Sequence, residues 1–254
     1  MGKIISVVNQ KGGVGKTTTT VSLSACLAHQ GKSVLLIDID PQGNATSGLG
    51  IAAEDLENTV YQVLIGQSSL ENTIVNTEFG PLDVAPSDIQ LAGAEVELVS
   101  VDQREYVLKN ALDSVKNKYD YILIDCPPSL NLMTINALVA SNSVLIPVQC
   151  EYYALEGLSR LMQTVKSIKK QLNAGLEIEG ILLTMYDSRT NLSMMVAEEV
   201  KKFFPKKVYR TVIPRNVRLS EAPSYGQPII AYDPYSRGAE SYLALANEVI
   251  GNNG

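Results

Sequence analysis

The chain has 254 residues, 45% of them hydrophobic, and its 27 acidic and 21 basic residues give a formal net charge of −6. This length suits one large α/β domain, and the charge argues against a protein that coats nucleic acid with its whole surface, because phosphate neutralisation needs clustered Lys and Arg. The three cysteines form no C-x-x-C pair, and the single His29 leaves no candidate for a Ser-His or Cys-His nucleophile, so hydrolase triads are excluded.

Short apolar runs rich in Val, Ile and Leu alternate with helix-like segments. The runs predict strands over residues 4–8, 33–38, 82–85, 119–125, 143–148 and 178–184. The segments predict helices over residues 17–30, 96–116, 130–140, 154–172, 191–204 and 236–250, with disorder expected only in the tail 251–254. This alternation is typical of a doubly wound α/β fold with a mostly parallel sheet and helices on both faces. We expect a single domain over residues 1–254, with ligands beyond the carboxyl ends of the strands.

A glycine-rich loop joins the first predicted strand to the first predicted helix. Its residues are Lys11, Gly12, Gly13, Val14, Gly15, Lys16, Thr17 and Thr18. Glycines let backbone N–H groups converge on phosphate oxygens, and the helix N-terminus adds its positive dipole. In this pattern Lys16 neutralises the β- and γ-phosphates and the Thr17 hydroxyl ligates magnesium. The loop therefore predicts a P-loop that binds ATP or ADP with Mg²⁺.

This loop departs from the usual G-x-x-x-x-G-K-[ST] pattern in two ways. Gln10 stands at the first glycine position, and Lys11 adds a cation inside the loop. Because Lys16 already neutralises the phosphates, Lys11 must either point to solvent or reach another phosphate group. Spacing alone leaves both possibilities open.

Carboxylates stand at the ends of two further predicted strands. Asp38 and Asp40 follow the second strand, and Asp125 ends the fourth. Asp40 is a candidate for positioning or polarising an attacking water, whereas Asp38 is a candidate for holding the loop or contacting Mg²⁺ through water. The alternative is a pair of turn-forming aspartates that only cap the strand. Asp125 is placed as a Mg²⁺ ligand acting through water.

The negative net charge hides a local concentration of basic residues. Between residues 189 and 218 only two acids, Glu198 and Glu199, accompany Arg189, Lys201, Lys202, Lys206, Lys207, Arg210, Arg215 and Arg218. One interpretation is a basic face that binds DNA. The other is the solvated face of a surface helix, the usual location of Lys and Glu.

The motifs together resemble one family, the deviant Walker A partition ATPases of the ParA/Soj type. The resemblance rests on residues 11–18, 38–44 and 124–128, and it continues through residues 147–158 and 212–223. It therefore covers nearly the whole chain. The last two stretches point to the chromosome-partitioning branch of the superfamily.

The resemblance implies roles for individual residues. Lys11 would be the signature lysine that reaches across an ATP sandwich dimer to the partner subunit's phosphates, and Thr18 would contact the α-phosphate. Asp40 would be needed for hydrolysis, while Lys11 and Lys16 would complete the catalytic set. Further implied sites are the adenine side at Pro214 and Asn216, the magnesium shell at Asp125, and DNA contacts at Arg189 and Arg218.

The same resemblance implies a switch cycle. ATP drives dimerisation, the dimer binds DNA without sequence preference, and a ParB/Spo0J-like centromere-binding partner stimulates hydrolysis and release. Neither the P-loop nor residues 38–44 contain an arginine that could serve as a built-in finger, so we expect slow intrinsic turnover.

Two other classes of function remain as alternatives. A membrane-surface, division-site-placement ATPase of the same superfamily needs a basic amphipathic C-terminal helix, but residues 243–254 hold no Lys or Arg. A metabolic role in electron transfer or cluster assembly needs cysteine ligands at a dimer interface, which the spacing of Cys126 and Cys150 suits poorly; a ligase related to dethiobiotin synthesis is a further metabolic option.

The N-terminus lacks a signal-peptide pattern, and no apolar run approaches the ~18–20 residues that a membrane helix needs. We therefore expect a cytoplasmic, nucleoid-associated protein with no membrane partner.

Overall fold

The computed structural model describes residues 2–52 and 55–253. Within these residues, eight strands form one sheet in the order β3-β4-β2-β5-β1-β6-β7-β8. The strands are β1 (Lys3–Val7), β2 (Val34–Asp38), β3 (Val75–Asn76), β4 (Leu82–Ala85), β5 (Tyr121–Asp125), β6 (Ser143–Gln149), β7 (Glu177–Tyr186) and β8 (Val208–Pro214).

Every pairing in the sheet is parallel except that of the short edge strand β3 with β4. The helices are α1 (Lys16–His29), α2 (Asn44–Ser47), α3 (Val60–Leu64), α4 (Leu70–Thr73), α5 (Leu91–Glu97), α6 (Val107–Leu112), α7 (Leu132–Ala140), α8 (Ala154–Gln171), α9 (Asn191–Phe203), α10 (Val217–Glu221), α11 (Ile229–Tyr232) and α12 (Arg237–Asn253). The predicted fold class is confirmed.

The sheet separates two hydrophobic cores, because successive side chains of a strand point to opposite faces. In β5, for example, Ile122 and Ile124 join one core and Tyr121 and Leu123 the other. Helices α3 and α5–α9 cover the first face, and α1, α11 and α12 cover the second. Burial on both faces explains why the central strands are continuous apolar runs rather than alternating ones.

Two predictions of secondary structure are wrong, the long helix and the disordered tail, and strands β3 and β8 are among the elements missing from the prediction. The helix predicted over residues 96–116 is broken into the end of α5, two 3₁₀ turns and α6, because Gln103 adopts a left-handed backbone (φ 54°) that no α-helix continues through. Strand β8 was not predicted, since its edge position leaves Arg210 exposed and so weakens the apolar run. The tail is helical through Asn253, and Gly254 lies outside the described residues.

The order of the sheet brings the candidate motifs to one edge. Strand β1 lies between β5 and β6, and β2 pairs with β5 on the other side. Asp38 of β2 is the register partner of Asp125 of β5, which is in turn the partner of Val7 of β1. The glycine-rich loop and the loop after β2 therefore emerge at the same level as Asp125.

Candidate functional site

The loop between β1 and α1 has the geometry of an anion cradle. Gly13 (φ 72°) and Gly15 (φ 88°) lie in the left-handed region, where a side chain would be strained. Gly15 is the N-cap residue of α1 and offers no side-chain hydrogen bond to the first turn. The first N–H groups of this 14-residue helix are therefore free to bind an anion, with the helix dipole adding to the attraction.

Polar side chains hold the loop against its neighbours. The amide of Asn9 donates to the carbonyl of Pro147 at 2.7 Å and accepts from the Lys11 N–H at 3.0 Å. On the other side, the Thr184 hydroxyl donates to the carbonyl of Val14 at 2.8 Å. Strands β6 and β7 thus fix both halves of the loop before any ligand binds.

The two lysines of the loop point in different directions. Lys16 is only 6% exposed, and its ammonium donates to the Lys11 carbonyl at 3.3 Å, within the loop. Burial lowers the pKa of Lys16, and the nearby Asp125 opposes that shift. The Lys11 side chain is 47% exposed and forms a 2.5 Å ion pair with Glu151, which follows β6. One lysine therefore serves its own loop, and the other lies on the outer surface beside it.

Asp125 organises the first turn of α1. Its two oxygens accept hydrogen bonds from the Thr17 hydroxyl at 2.7 Å and the Thr20 hydroxyl at 2.8 Å. Asp125 is fully buried, and this burial raises its pKa, with the carboxylate of Asp38 adding to the rise. A cation placed beside Thr17 would favour the ionised form of Asp125.

The oxygen atoms of Thr17 and Asp125 fit a magnesium ion that is also bound by phosphate oxygens. Mg²⁺ prefers oxygen ligands, keeps several waters and commonly binds through few protein groups plus substrate phosphates. The half-buried Thr17 hydroxyl stands at the helix N-terminus, where it would be the protein ligand of such an ion, and Asp125 accepts its hydrogen bond from behind.

The loop after β2 is built around Asp38. One oxygen of this fully buried carboxylate accepts the Asp40 N–H at 3.1 Å, and the other accepts both the N–H and the hydroxyl of Thr46 at 2.9 Å. Asp38 therefore holds the loop, one of the two roles left open for it. The carboxylate of Asp40, a residue 6% exposed, accepts the Gln42 N–H at 3.0 Å and closes the turn.

A cavity of about 390 Å³ lies beside the glycine-rich loop. Gly15 and Thr18 line one side of it, and Pro214 and Asn216 line the other. Asn216 is also the N-cap of α10, where its side chain accepts the Arg218 N–H at 2.8 Å. The structure thus brings the residues assigned to the adenine side close to those assigned to the phosphates.

The basic region is divided between two ends of the sheet. Lys206 and Lys207 precede β8, whereas Arg215 follows it, and a seven-residue strand separates such groups by ~20 Å. The predicted single basic face is therefore wrong in its extent. Arg189 and Arg218 nevertheless share one end, because they follow the carboxyl ends of the neighbouring strands β7 and β8.

Both arginines are exposed and paired with acids. Arg189, with a side chain 85% exposed, binds Asp187 through contacts of 2.9 and 2.7 Å. Arg218 contacts Glu221 at 2.9 Å and Asp233 at 3.3 Å. The Arg189 guanidinium holds the pKa of Asp187 below its ordinary value, at about 2.

Several residues of the site were missed from the sequence. Thr20 could have been found from the run of four threonines that begins at Thr17. Thr184 carries no local signal, because it acts on a loop 170 residues away in sequence, whereas Thr46 lies only eight residues after the Asp38 that it binds. Met185 lines the cavity beside Gly15 and has a left-handed backbone (φ 50°), a strain that only coordinates reveal.

Comparison with known proteins places the chain in a family. Residues 2–178 match the model of a family described as "AAA domain". The chain is 66% identical to the sporulation initiation inhibitor protein Soj of Bacillus subtilis over 252 residues, which cover 99% of this chain and 100% of that protein. It is 54% identical to the chromosome partitioning protein ParA of Myxococcus xanthus, over 98% of this chain and 88% of that protein.

Solved structures share the whole fold. Cobyrinic acid a,c-diamide synthase of Mycobacterium smegmatis, solved with ADP and magnesium, superposes with a TM-score of 0.87 at 37% identity, covering 98% of this chain and 94% of that one. The septum site-determining protein MinD of Pyrococcus horikoshii, solved with Mg-ADP, gives 0.84 at 32% identity, covering 100% and 98%. These relatives carry the names of the two alternative classes of function, but their identities are about half that to the Bacillus protein.

Among the described residues, no helix is both long and apolar enough to cross a membrane.

Three observations indicate the same family. The Bacillus subtilis protein is 66% identical over nearly the whole chain, the P-loop contains an additional lysine, and buried carboxylates hold the residues beside that loop. The chain belongs to the ParA/Soj family of chromosome-partitioning ATPases.

Proposed function

We propose that this chain is an ATP-dependent switch that partitions DNA. ATP with Mg²⁺ assembles two copies into a sandwich dimer, and the dimer binds nucleoid DNA without sequence preference. A ParB/Spo0J-like centromere-binding partner then stimulates hydrolysis, which releases the DNA. Chromosome partitioning is the role named for the ParA relative of Myxococcus xanthus, and the solved relatives with bound ADP and magnesium support the choice of cofactors.

The main support for this proposal is that the side chains of the two P-loop lysines point in different directions. Lys16 is buried inside its own loop, whereas the half-exposed Lys11 extends to Glu151 at the surface. A surface ion pair contributes only ~0–1 kcal/mol, so Lys11 can exchange Glu151 for a stronger anion at little cost. The phosphates of a nucleotide held by a second copy are such an anion, which makes the assembly depend on ATP.

The other residues of the site each have a separate role in nucleotide binding or hydrolysis. Lys16 neutralises the β- and γ-phosphates, Thr18 contacts the α-phosphate, and backbone N–H groups of residues 12–16 surround the phosphate oxygens. Thr17, in front of Asp125, would hold Mg²⁺, and the ion would supply charge stabilisation to the transferred phosphoryl group. Asp40 orients and polarises the attacking water, and its turn is fixed in advance by Asp38.

The DNA contact is assigned to Arg189 and Arg218. Their ion pairs are exposed, so a DNA phosphate can replace the carboxylate partner of each arginine with little loss of free energy. Contacts of this kind read phosphates rather than bases, and the affinity of a single weak site is of the order of 10⁻⁴–10⁻⁶ M before the dimer adds avidity.

DNA binding of Asp40→Ala with ATP and with ADP, measured across a salt series, tests the whole cycle. We expect Asp40→Ala to bind DNA in the presence of ATP and not in the presence of ADP. The affinity should fall steeply as the salt concentration rises, because phosphate contacts release counterions. Light scattering on the same samples should show a dimer with ATP and a monomer with ADP. Binding that is equal in ATP and ADP, or insensitive to salt, would contradict the switch.

A further inference from the structure

The loop that carries Asp40 is held by a side chain from a different strand. Ser87 lies two residues beyond β4, and β4 pairs in parallel with β2, so both loops emerge at the same edge of the sheet. The Ser87 hydroxyl donates to the backbone carbonyl of Asp40 at 2.8 Å. The Ser87 N–H donates to the Thr46 hydroxyl oxygen at 3.0 Å.

These bonds close a ring of four buried residues. The Thr46 hydroxyl donates a hydrogen bond to the Asp38 carboxylate, which also accepts the N–H of Asp40. Ser87 completes the circuit by binding both Thr46 and Asp40. Ser87 and Asp38 are fully buried, and Thr46 is 1% exposed. Hydrogen bonds connected in this way polarise one another and have no water to replace them.

The ring fixes the backbone of Asp40 on both sides of its Cα. Its N–H is held by Asp38 and its carbonyl by Ser87. The turn also packs tightly, since a Cβ built on Gly43 would lie 3.0 Å from the Ser87 carbonyl oxygen. The direction of the Asp40 carboxylate therefore depends on Ser87, which itself has no place in the nucleotide cradle.

We propose that Ser87 is a positioning residue for ATP hydrolysis, acting through Asp40. The inference rests on the proposed role of Asp40 and deepens it, because it names the contact that aims the carboxylate. Ser87 is not among the residues that line the cavity beside the glycine-rich loop. Its removal should therefore affect the rate of the chemical step and leave nucleotide binding unchanged.

The test is the steady-state ATPase kinetics of Ser87→Ala. Loss of one buried hydrogen bond of ~1 kcal/mol corresponds to roughly a fivefold to tenfold lower kcat. The KM for ATP should stay within about twofold, since the cradle is intact. Hydrogen exchange of the amides of residues 40–43 should become faster, while that of the glycine-rich loop should not change.

Ser24→Ala is the matched control. Ser24 lies on α1 and is fully buried, and among the described residues its hydroxyl has no hydrogen-bond partner. This substitution removes a buried hydroxyl without breaking a bond, so it should leave kcat unchanged. If Ser87→Ala does not fold, Ser87→Cys fills the same space with a much weaker donor and should lose kcat in the same way.

Asp40→Ala, measured alongside, separates this inference from the proposed function. If Asp40→Ala hydrolyses ATP at the wild-type rate, the proposed role of Asp40 is wrong, regardless of the result for Ser87→Ala. If Asp40→Ala loses activity while folded Ser87→Ala keeps the wild-type kcat, only the positioning role is overturned. An equal loss of kcat in Ser24→Ala, or a loss in Ser87→Ala caused by weaker ATP binding, would also overturn it.

Discussion

Two regions at the carboxyl end of the sheet differ in how they hold their functional side chains. Around β1, β2 and β5, side chains such as Lys16, Asp38 and Asp125 are buried and tied to their neighbours. At the β7–β8 edge, Arg189 and Arg218 stand in solvent, each paired with a nearby acid. Buried hydrogen bonds hold the side chains of the first region, whereas the exposed ion pairs of the second can exchange partners.

This difference matches the chemistry that each region is proposed to perform. Hydrolysis needs atoms held to a fraction of an ångström, and only buried, fully bonded side chains provide that precision. Contact with DNA phosphates needs cations that can bind a phosphate at any position along the DNA, which exposed arginines provide.

A close backbone contact joins the two regions. Gly50 follows α2 in the loop organised by Asp38, and Gly226 follows the 3₁₀ turn after α10, which carries Arg218. A Cβ on Gly226 would lie 2.7 Å from the Cα of Gly50, so the two chains touch where no side chain fits. Both glycines also have left-handed backbones, with φ of 77° and 62°.

The largest expected effect comes from the buried lysine. Lys16→Ala should weaken ATP binding by roughly 10³-fold, because a buried partner of the phosphate charges is lost. Lys11→Ala is its matched control: the monomer should bind ATP within about threefold of the wild-type affinity, since Lys11 points away from its own loop. Isothermal titration calorimetry measures both, and similar losses in the two variants would contradict the division between them.

Asp40→Ala should come next. Removal of the group that polarises water should lower the hydrolysis rate by about 10²-fold or more, in the range of general base catalysis. ATP binding should persist, because Asp40 does not contribute to the cradle, and the ATP-bound dimer should accumulate. Phosphate release and light scattering measure the two effects; a monomer in the presence of ATP would show that the residue is misassigned.

Gly226→Ala tests the contact between the regions. The left-handed backbone and the short distance to Gly50 together should cost about 2–4 kcal/mol of unfolding free energy, or roughly a 100-fold change in the unfolding equilibrium. Gly80→Ala is the control, because Gly80 has a similar φ of 69° but no atom within 4 Å of the added Cβ. It should cost only about 1 kcal/mol. If urea unfolding shows equal losses of unfolding free energy in the two variants, then backbone strain alone accounts for the effect.

The smallest effects should come from the exposed edge. Arg189→Ala and Arg218→Ala should each weaken DNA binding by roughly threefold to tenfold and lower the salt slope by about one, while ATP-dependent dimerisation stays intact. Arg160→Ala provides the matched control, since the Arg160 side chain on α8 is 69% exposed, between Arg189 at 85% and Arg218 at 54%, and is paired with Glu156. Unchanged DNA binding in both edge variants would show that the DNA contact lies elsewhere on the protein.

Prediction from the sequence succeeded where a residue acts on its own neighbours. The glycine-rich loop lies between β1 and α1 as expected, and Asp125 ends β5. It failed where distant residues decide the outcome. The amphipathic edge strand β8, for example, resembles a loop until β7 pairs with it. Prediction also failed locally at Gln103, whose left-handed backbone breaks the helix predicted over residues 96–116.

The sequence alone determined the cradle, because glycine freedom, an apolar run and a helix start are local properties of adjacent residues. It also determined that Lys11 is an additional cation. Only the tertiary structure decided where Lys11 points, and only it placed Ser87 over the backbone of Asp40. Those contacts depend on the order of strands in the sheet, which brings together loops separated by more than forty residues, and no local pattern encodes that order.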